Sequence, residues 1–205
     1  GMYTGAFFEE QDIGKVIEHG LACIPVESLY AKCIRDVIRW HKENPADWKA
    51  TWQKIEDQWQ DDIDCEPGNP FNIDAKLNGA YVVLALLYGE GDMLKTMEIA
   101  TRAGQDNDCN PSSAAGVLGC MKGYKALGED LTGGIPEIES TNFAHTAYSL
   151  KTLIPACRRV AEMIIERAGG AVTDDAYYIP IQKPKSPARL EQWTDQLKII
   201  KAKAP

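Results

Sequence analysis

Seven residues, Gly104-Gln105-Asp106-Asn107-Asp108-Cys109-Asn110, close one apolar helical run and open another. Any fold this chain adopts must therefore seat a doubly acidic turn between two packed helices. Two carboxylates two residues apart in such a turn suit a hard cation, because Mg²⁺, Mn²⁺ and Ca²⁺ take oxygen ligands. An ion held there could orient an oxygen-rich substrate or activate water. Two other readings compete. In one, the aspartates only complement a helix dipole, an effect worth about 0.3–1 kcal/mol. In the other, Asp106, Asp108 and Asn110 are the first three ligands of an EF-hand; this fails, because Pro111 stands where that loop needs glycine and Val117 where it needs glutamate.

The text around the turn has helical periodicity. Ile13, Val16, Ile17 and Leu21 follow Asp12 at helical spacing, and Pro25 ends that run. A second helix starts at Ser28 with Leu29, Cys33, Ile34, Val37, Ile38 and Trp40 inward, and Asn44-Pro45 stops it. Asp47 caps a third, whose Trp48, Trp52, Ile55 and Trp59 mark one packing face. Residues 61–72 read as a loop and residues 75–87 as a strongly apolar helix broken by Tyr88-Gly89-Glu90-Gly91. Asp92 caps the next helix, with Leu94, Met97, Ile99 and Ala100 on its inner face.

After the turn, Asn110 is placed as N-cap and Pro111 as first helical residue, which leaves both aspartates just outside the helix. Gly116, Gly119 and Gly123 recur along one side of it. Each costs about 1 kcal/mol against alanine, so the face implies close approach by another backbone and a central helix. A helix over about 146–168, kinked or split at Pro155, closes the domain. Tyr177 to Pro187 reads as an extended linker, and a short helix over about 188–200 follows.

At 205 residues the chain suffices for one domain, or one domain and a tail. A net charge of −8 argues against a nucleic-acid partner. The sequence contains no apolar run of membrane-spanning length and no secretory signal pattern, so a soluble, cytoplasmic protein is expected, with the targeting of any longer parent left open. Six cysteines (Cys23, Cys33, Cys65, Cys109, Cys120, Cys157) without a C-x-x-C pair suggest reduced, mostly buried thiols. His19, His41 and His145 are dispersed, and Glu137 and Glu139 read as solvated loop acids.

Three motifs occur in the order found in one family. Ala103-Gly104-Gln105-Asp106-Asn107-Asp108-Cys109-Asn110-Pro111-Ser112-Ser113-Ala114-Ala115-Gly116-Val117-Leu118-Gly119 resembles the C-terminal signature of the ADP-ribosylglycohydrolases, commonly Gly-Gly-Asp-Thr-Asp-Thr-Asn-Ala-Ala before a Gly-rich helix. The run from Leu77-Asn78-Gly79 to Tyr88-Gly89 resembles the helix preceding that signature. Gly20-Leu21-Ala22-Cys23-Ile24-Pro25-Val26-Glu27-Ser28 is similar to the family's Ala-Leu-x-x-Ile-Pro-x-x-Ser segment. The likeness covers about residues 3–170.

It implies an all-α orthogonal multi-helix bundle over residues 1–170, truncated at its N-terminus, with 171–205 as linker and short helix. It also implies hydrolysis of a glycosidic bond to ADP-ribose, on an ADP-ribosylated protein or small molecule, at a site with two Mg²⁺ or Mn²⁺ ions. By matched position Asp106 and Asp108 are metal-binding and catalytic, and Gly104, Gln105 and Asn110 lie on the substrate side. Cys109 replaces a threonine that also reaches the metal; a thiol is a poorer ligand for Mg²⁺, so Cys109 is either a third ligand or a small buried residue.

The family's second acidic motif, Thr/Ser-Asp-Asp-Thr on an earlier helix, has no match here. The adjacent pairs Asp61-Asp62 and Asp174-Asp175 stand elsewhere. With the uncapped helical text at residues 1–10, this gives the expectation of the C-terminal part of a longer enzyme, inactive alone, with exposed faces that favour a homo-oligomer. The alternative is a noncatalytic ADP-ribose- or nucleotide-binding or structural protein, like the family's crystallin relatives.

Overall fold

Side-chain caps set where most of the early helices begin. A computed structural model describes residues 1–9, 12–60 and 73–189, and these form two compact units, one within residues 1–125 and 184–189 and the other within 126–183. The first unit carries α1 (Met2–Glu9), α2 (Ile13–Leu21), α3 (Leu29–Glu43), α4 (Trp48–Trp59), α5 (Ala75–Gly89), α6 (Met93–Ala103) and α7 (Cys109–Lys122). Asp12, Ser28, Asp47, Asp74 and Asp92 each accept a hydrogen bond from a backbone N–H of the first turn of α2 to α6. Each such cap satisfies a donor that a helix start leaves unpaired and is worth about 1 kcal/mol.

The centre of this unit is α5, which packs on α2, α3, α4, α6 and α7. Leu77, Tyr81, Leu84 and Leu86 are fully buried, and the helix is apolar on nearly every side, as a core helix must be. Gly79 permits the approach of α3: a Cβ there would sit 1.9 Å from the Tyr30 hydroxyl. Most of the polar groups inside are paired; the exception among the described residues is Asp74 Oδ2, which has no hydrogen-bond partner. The Tyr81 hydroxyl donates to Glu56, the Thr51 and Tyr88 hydroxyls lie 2.7 Å apart, and Trp52 Nε1 donates to Ala103 O at 2.8 Å. Burial raises the Glu56 carboxyl above its usual range, and the Tyr81 bond only partly offsets this.

Several sequence expectations need correction. The central helix is α5, not α7. Of the three α7 glycines, Gly116 lies against a side chain, with a Cβ 2.2 Å from the Tyr3 hydroxyl, Gly119 has nothing within 4 Å, and Gly123 at φ +73 is the C-cap. Leu29 and Leu94 face solvent, because each stands at the first or second helical position, ahead of the buried stripe. The thiols are free among the described residues, yet only Cys33 is buried, whereas Cys23, Cys109 and Cys157 are exposed. Burial pushes the Cys33 thiol up to about 12. Trp48, Trp52 and Trp59 do pack against the core around buried Ile55. The loop at 61–72, with Asp61, Asp62 and Cys65, lies outside the described residues.

The second unit contains α8 (Glu129–Thr132), α9 (Ile135–Ile138), α10 (Leu150–Arg167), β1 (Ala171–Val172) and β2 (Tyr177–Tyr178). The two short strands pair antiparallel, Ala171 opposite Tyr178, with Asp174-Asp175 in the connection. Tyr177 donates to Glu162 at 2.9 Å and so ties the hairpin to α10. A capping box between Ser149 and Thr152 starts α10, which runs unbroken through Pro155 rather than splitting there. Glu137 lies in the single turn of α9 and Glu139 at its C-cap, not in an open loop. Nearly all of the short helix read at 188–200 falls outside the described residues. The described chain is all-α apart from the hairpin, and none of its helices is long and apolar enough to cross a membrane.

Candidate functional site

Gly104 ends α6 at φ 99, ψ −163, a conformation open essentially to glycine alone. Gln105 follows at φ 50, in the left-handed region that non-glycine residues seldom adopt. These two residues reverse the chain within a few bonds. The backbone then closes on itself: Asn107 N donates to Gln105 O at 2.9 Å and Asn110 N to Asp106 O at 3.0 Å. The helix α7 thus starts at Cys109, earlier than Asn110-Pro111 suggests, and Asp108 occupies the N-cap position. Proline remains tolerable at the third helical residue, since the first-turn N–H it lacks has no intrahelical partner.

What holds this turn is a residue of α5. Asn78 is 8% exposed. Its Oδ1 accepts from Asp106 N at 3.2 Å and from Asn110 Nδ2 at 2.7 Å. Its Nδ2 donates to Asp74 O at 2.9 Å and to Gln105 Oε1 at 3.1 Å. The full capacity of the amide, two acceptor and two donor positions, is used. Gln105 Oε1 also accepts from Asp74 N at 3.2 Å. Beside it Asp74 faces Lys76 Nζ at 3.4 Å in an ion pair whose side chains are 5% and 6% exposed. Asn110, read from the sequence as an N-cap, is instead buried and spends its side chain on Asn78.

The outer side of the turn has different chemistry. One ligand atom each from Asp106, Asp108 and Cys109 lie within 4.8 Å of one another. Asp106 is partly buried and the other two are exposed. Asp108 makes no side-chain cap bond to the helix it precedes, so none of its acceptor capacity goes to the first-turn N–H groups. Interaction with the Asp106 carboxylate, and then the negative charge of Asp108, pushes the Cys109 thiol pKa up. An exposed Cys109 corrects the expectation of a small buried residue.

Ligands on one ion, at about 2.0–2.3 Å each, lie no more than about 4.6 Å apart. The cluster spans up to 4.8 Å, so its side chains would have to draw together to hold one divalent ion. Of the sequence-derived site residues, the structure brings Asp106, Asp108 and Cys109 together, puts Gly104 at the hinge and turns Gln105 and Asn110 inward onto Asn78. The sequence reading did not single out Asn78 as part of the site. Its signal is present, however: a lone asparagine inside the apolar run 75–87 must find partners when the helix is buried.

No curated protein and no solved structure matches the chain. The family described as ADP-ribosylglycohydrolase matches residues 2–171. That stretch includes all of α1 to α7 and the acidic turn with its Asn78 support, and the chain accordingly belongs to the ADP-ribosylglycohydrolase family.

Proposed function

We propose that this chain carries one side of the metal centre of a glycosidase-type hydrolase that cleaves a glycosidic bond to ADP-ribose, on a modified protein or a small molecule. The observation that carries the reading is the convergence of Asp106, Asp108 and Cys109 within 4.8 Å on a turn braced from α5. A divalent ion bound there supplies charge stabilisation for oxygen-rich sugar groups and a site for water. In this proposal Asp106 and Asp108 hold the ion, Gly104 leaves room for substrate beside the turn, and Gln105 and Asn110 position the turn through Asn78. Residues 1–170 make up the helical domain, and 171–205 a linker and short helix.

Three ligand atoms serve one ion better than two, since hard ions take six or more oxygens each. The described residues thus hold part of a centre that, if it follows the family pattern of two Mg²⁺ or Mn²⁺ ions, needs further acids. The 205-residue chain is expected to bind ADP-ribose only with a divalent ion present, and to leave ADP-ribosyl peptides intact. Calorimetry with ADP-ribose, with and without divalent ions, tests the reading. Ion-independent binding would contradict the metal role, and turnover of ADP-ribosyl peptides would contradict the incomplete centre.

A further inference from the structure

Lys76 stands where a lysine is disfavoured twice over. It lies in the first turn of α5, at the positive end of the helix, where a cation is unfavourable. It is also only 6% exposed, and burial penalises an ammonium group unless a counter-charge offsets it. Its Nζ faces Asp74 Oδ2 at 3.4 Å and lies 5.8 Å from the centroid of the Trp59 ring. Asp74 is 3% exposed, and its Oδ2 has no hydrogen-bond partner. Replacing such a pair by apolar groups of similar volume is often neutral or stabilising, so stability alone does not account for it. The contacts of Asp74 do. Its Oδ1 accepts from Lys76 N at 2.8 Å, and its main-chain N–H donates to Gln105 Oε1 at 3.2 Å. Its main-chain O accepts from Asn78 Nδ2 and from Asn78 N, both at 2.9 Å. Asn78 Oδ1 in turn accepts from Asp106 N. Without Lys76 the Asp74 carboxylate is an uncompensated buried charge. It reaches water only by swinging away from the start of α5, and the main chain that anchors Gln105 and Asn78 then moves with it.

We propose that the buried Asp74–Lys76 ion pair is the positioning device of the acidic turn: Lys76, acting through Asp74, holds Gln105 and Asp106 in the conformation that carries the outer carboxylates. Gln105 at φ 50 sits in a region that non-glycine residues seldom adopt, so the turn needs an outside hold. Hydrogen bonds from a helix end that could itself fray would supply little. An ion pair sealed at 5% and 6% side-chain exposure fixes that end, because neither charge can leave alone without desolvated separation from the other. Specificity of backbone position, not added stability, is what the pair contributes. That this position matters for ion affinity rests on the reading of the turn as a metal centre; that it fixes the backbone does not.

Native-state hydrogen exchange of the full chain, followed amide by amide, reads the device without any ligand. One opening should release both the Asp106 and the Asn78 amides, whose protection factors are then equal within about threefold. An Asp106 amide at least about tenfold less protected than that of Asn78 would show a turn that frays by itself, and would overturn the proposal. Asp74→Asn with Lys76→Met removes both charges together and leaves no lone buried ion. This variant should keep its urea midpoint while the Asp106 and Asn110 amides speed up at least about tenfold more than those of Leu84 and Ile99. Acceleration of all four amides by one factor, or of none, would reduce the pair to packing and overturn the proposal. Mg²⁺ affinity should fall at least about tenfold in the same variant. An unchanged affinity beside fast turn amides would overturn the link to ion binding. If the unsubstituted chain binds neither Mg²⁺ nor Mn²⁺, the metal reading fails, and the exchange rates still decide the positioning role.

Discussion

On the inner side of the acidic turn, Asn78 uses its whole amide at 8% exposure, whereas on the outer side Asp106, Asp108 and Cys109 converge within 4.8 Å and mostly face solvent. Buried polar groups left without partners are costly, so the Asn78 amide is fully paired and holds the backbone in an otherwise strained conformation. The two outer aspartates bring like charge into one small space. The first arrangement serves folding, and in the proposed reading the second serves ion capture. Substitutions on the two sides should therefore have opposite signatures, one large in stability and one large in binding.

The largest expected effect is on the inner side. Asn78→Leu leaves the Asp106 N–H, the Asn110 amide and Gln105 Oε1 without their shared partner, and should cost about 3 kcal/mol in urea unfolding, at about 1–3 kcal/mol for an unsatisfied group. It should also abolish ion binding, because the turn loses its brace. A loss below about 1 kcal/mol would break the comparison. Gly104→Ala comes next: at φ 99, ψ −163 a Cβ is strained although nothing lies within 4 Å of it. A cost of about 1–3 kcal/mol is expected from the same unfolding curves.

Outer-side substitution should look different. Asp108→Asn is expected to change stability by no more than about 0.5 kcal/mol, as for most surface positions, while ion affinity falls at least about tenfold. Equal losses in both measurements would show that the outer cluster is structural. Smallest is an effect away from the turn. The folded state holds the Glu56 proton more tightly than the unfolded chain, because burial raises that carboxyl. Its contribution is greatest below the ordinary carboxylate pKa of about 4.3 and is lost as pH rises through the raised folded value. Glu56→Gln should remove that part of the pH dependence in unfolding experiments carried upward from the ordinary carboxylate pKa, and an unchanged slope would contradict the assignment.

The helices α2, α3, α4 and α6 were legible because each starts at a residue type whose side chain competes for first-turn N–H groups, and Asp12, Ser28, Asp47 and Asp92 do so here. The start of α7 was misread for the same reason: Asn110 is a favoured N-cap residue, but a tertiary partner, Asn78 Oδ1, claims its amide. Local preference lost to a contact 32 residues away in sequence. The α7 glycines misled because glycine spacing reports small size, not which element stands opposite; only Gly116 meets a neighbour. The cluster itself was legible as a spacing of acids. Whether Cys109 joined it was not, since exposure depends on which face of α7 the rest of the unit leaves open.

The most direct test of the central claim is calorimetric titration of ADP-ribose into the intact chain and into Asp106→Asn/Asp108→Asn, each with and without Mg²⁺ or Mn²⁺. The account predicts saturable ADP-ribose binding to the unsubstituted chain only when an ion is present, and none to the double variant although its unfolding midpoint is unchanged. Equal ADP-ribose affinity in both proteins, with or without the ion, would contradict it.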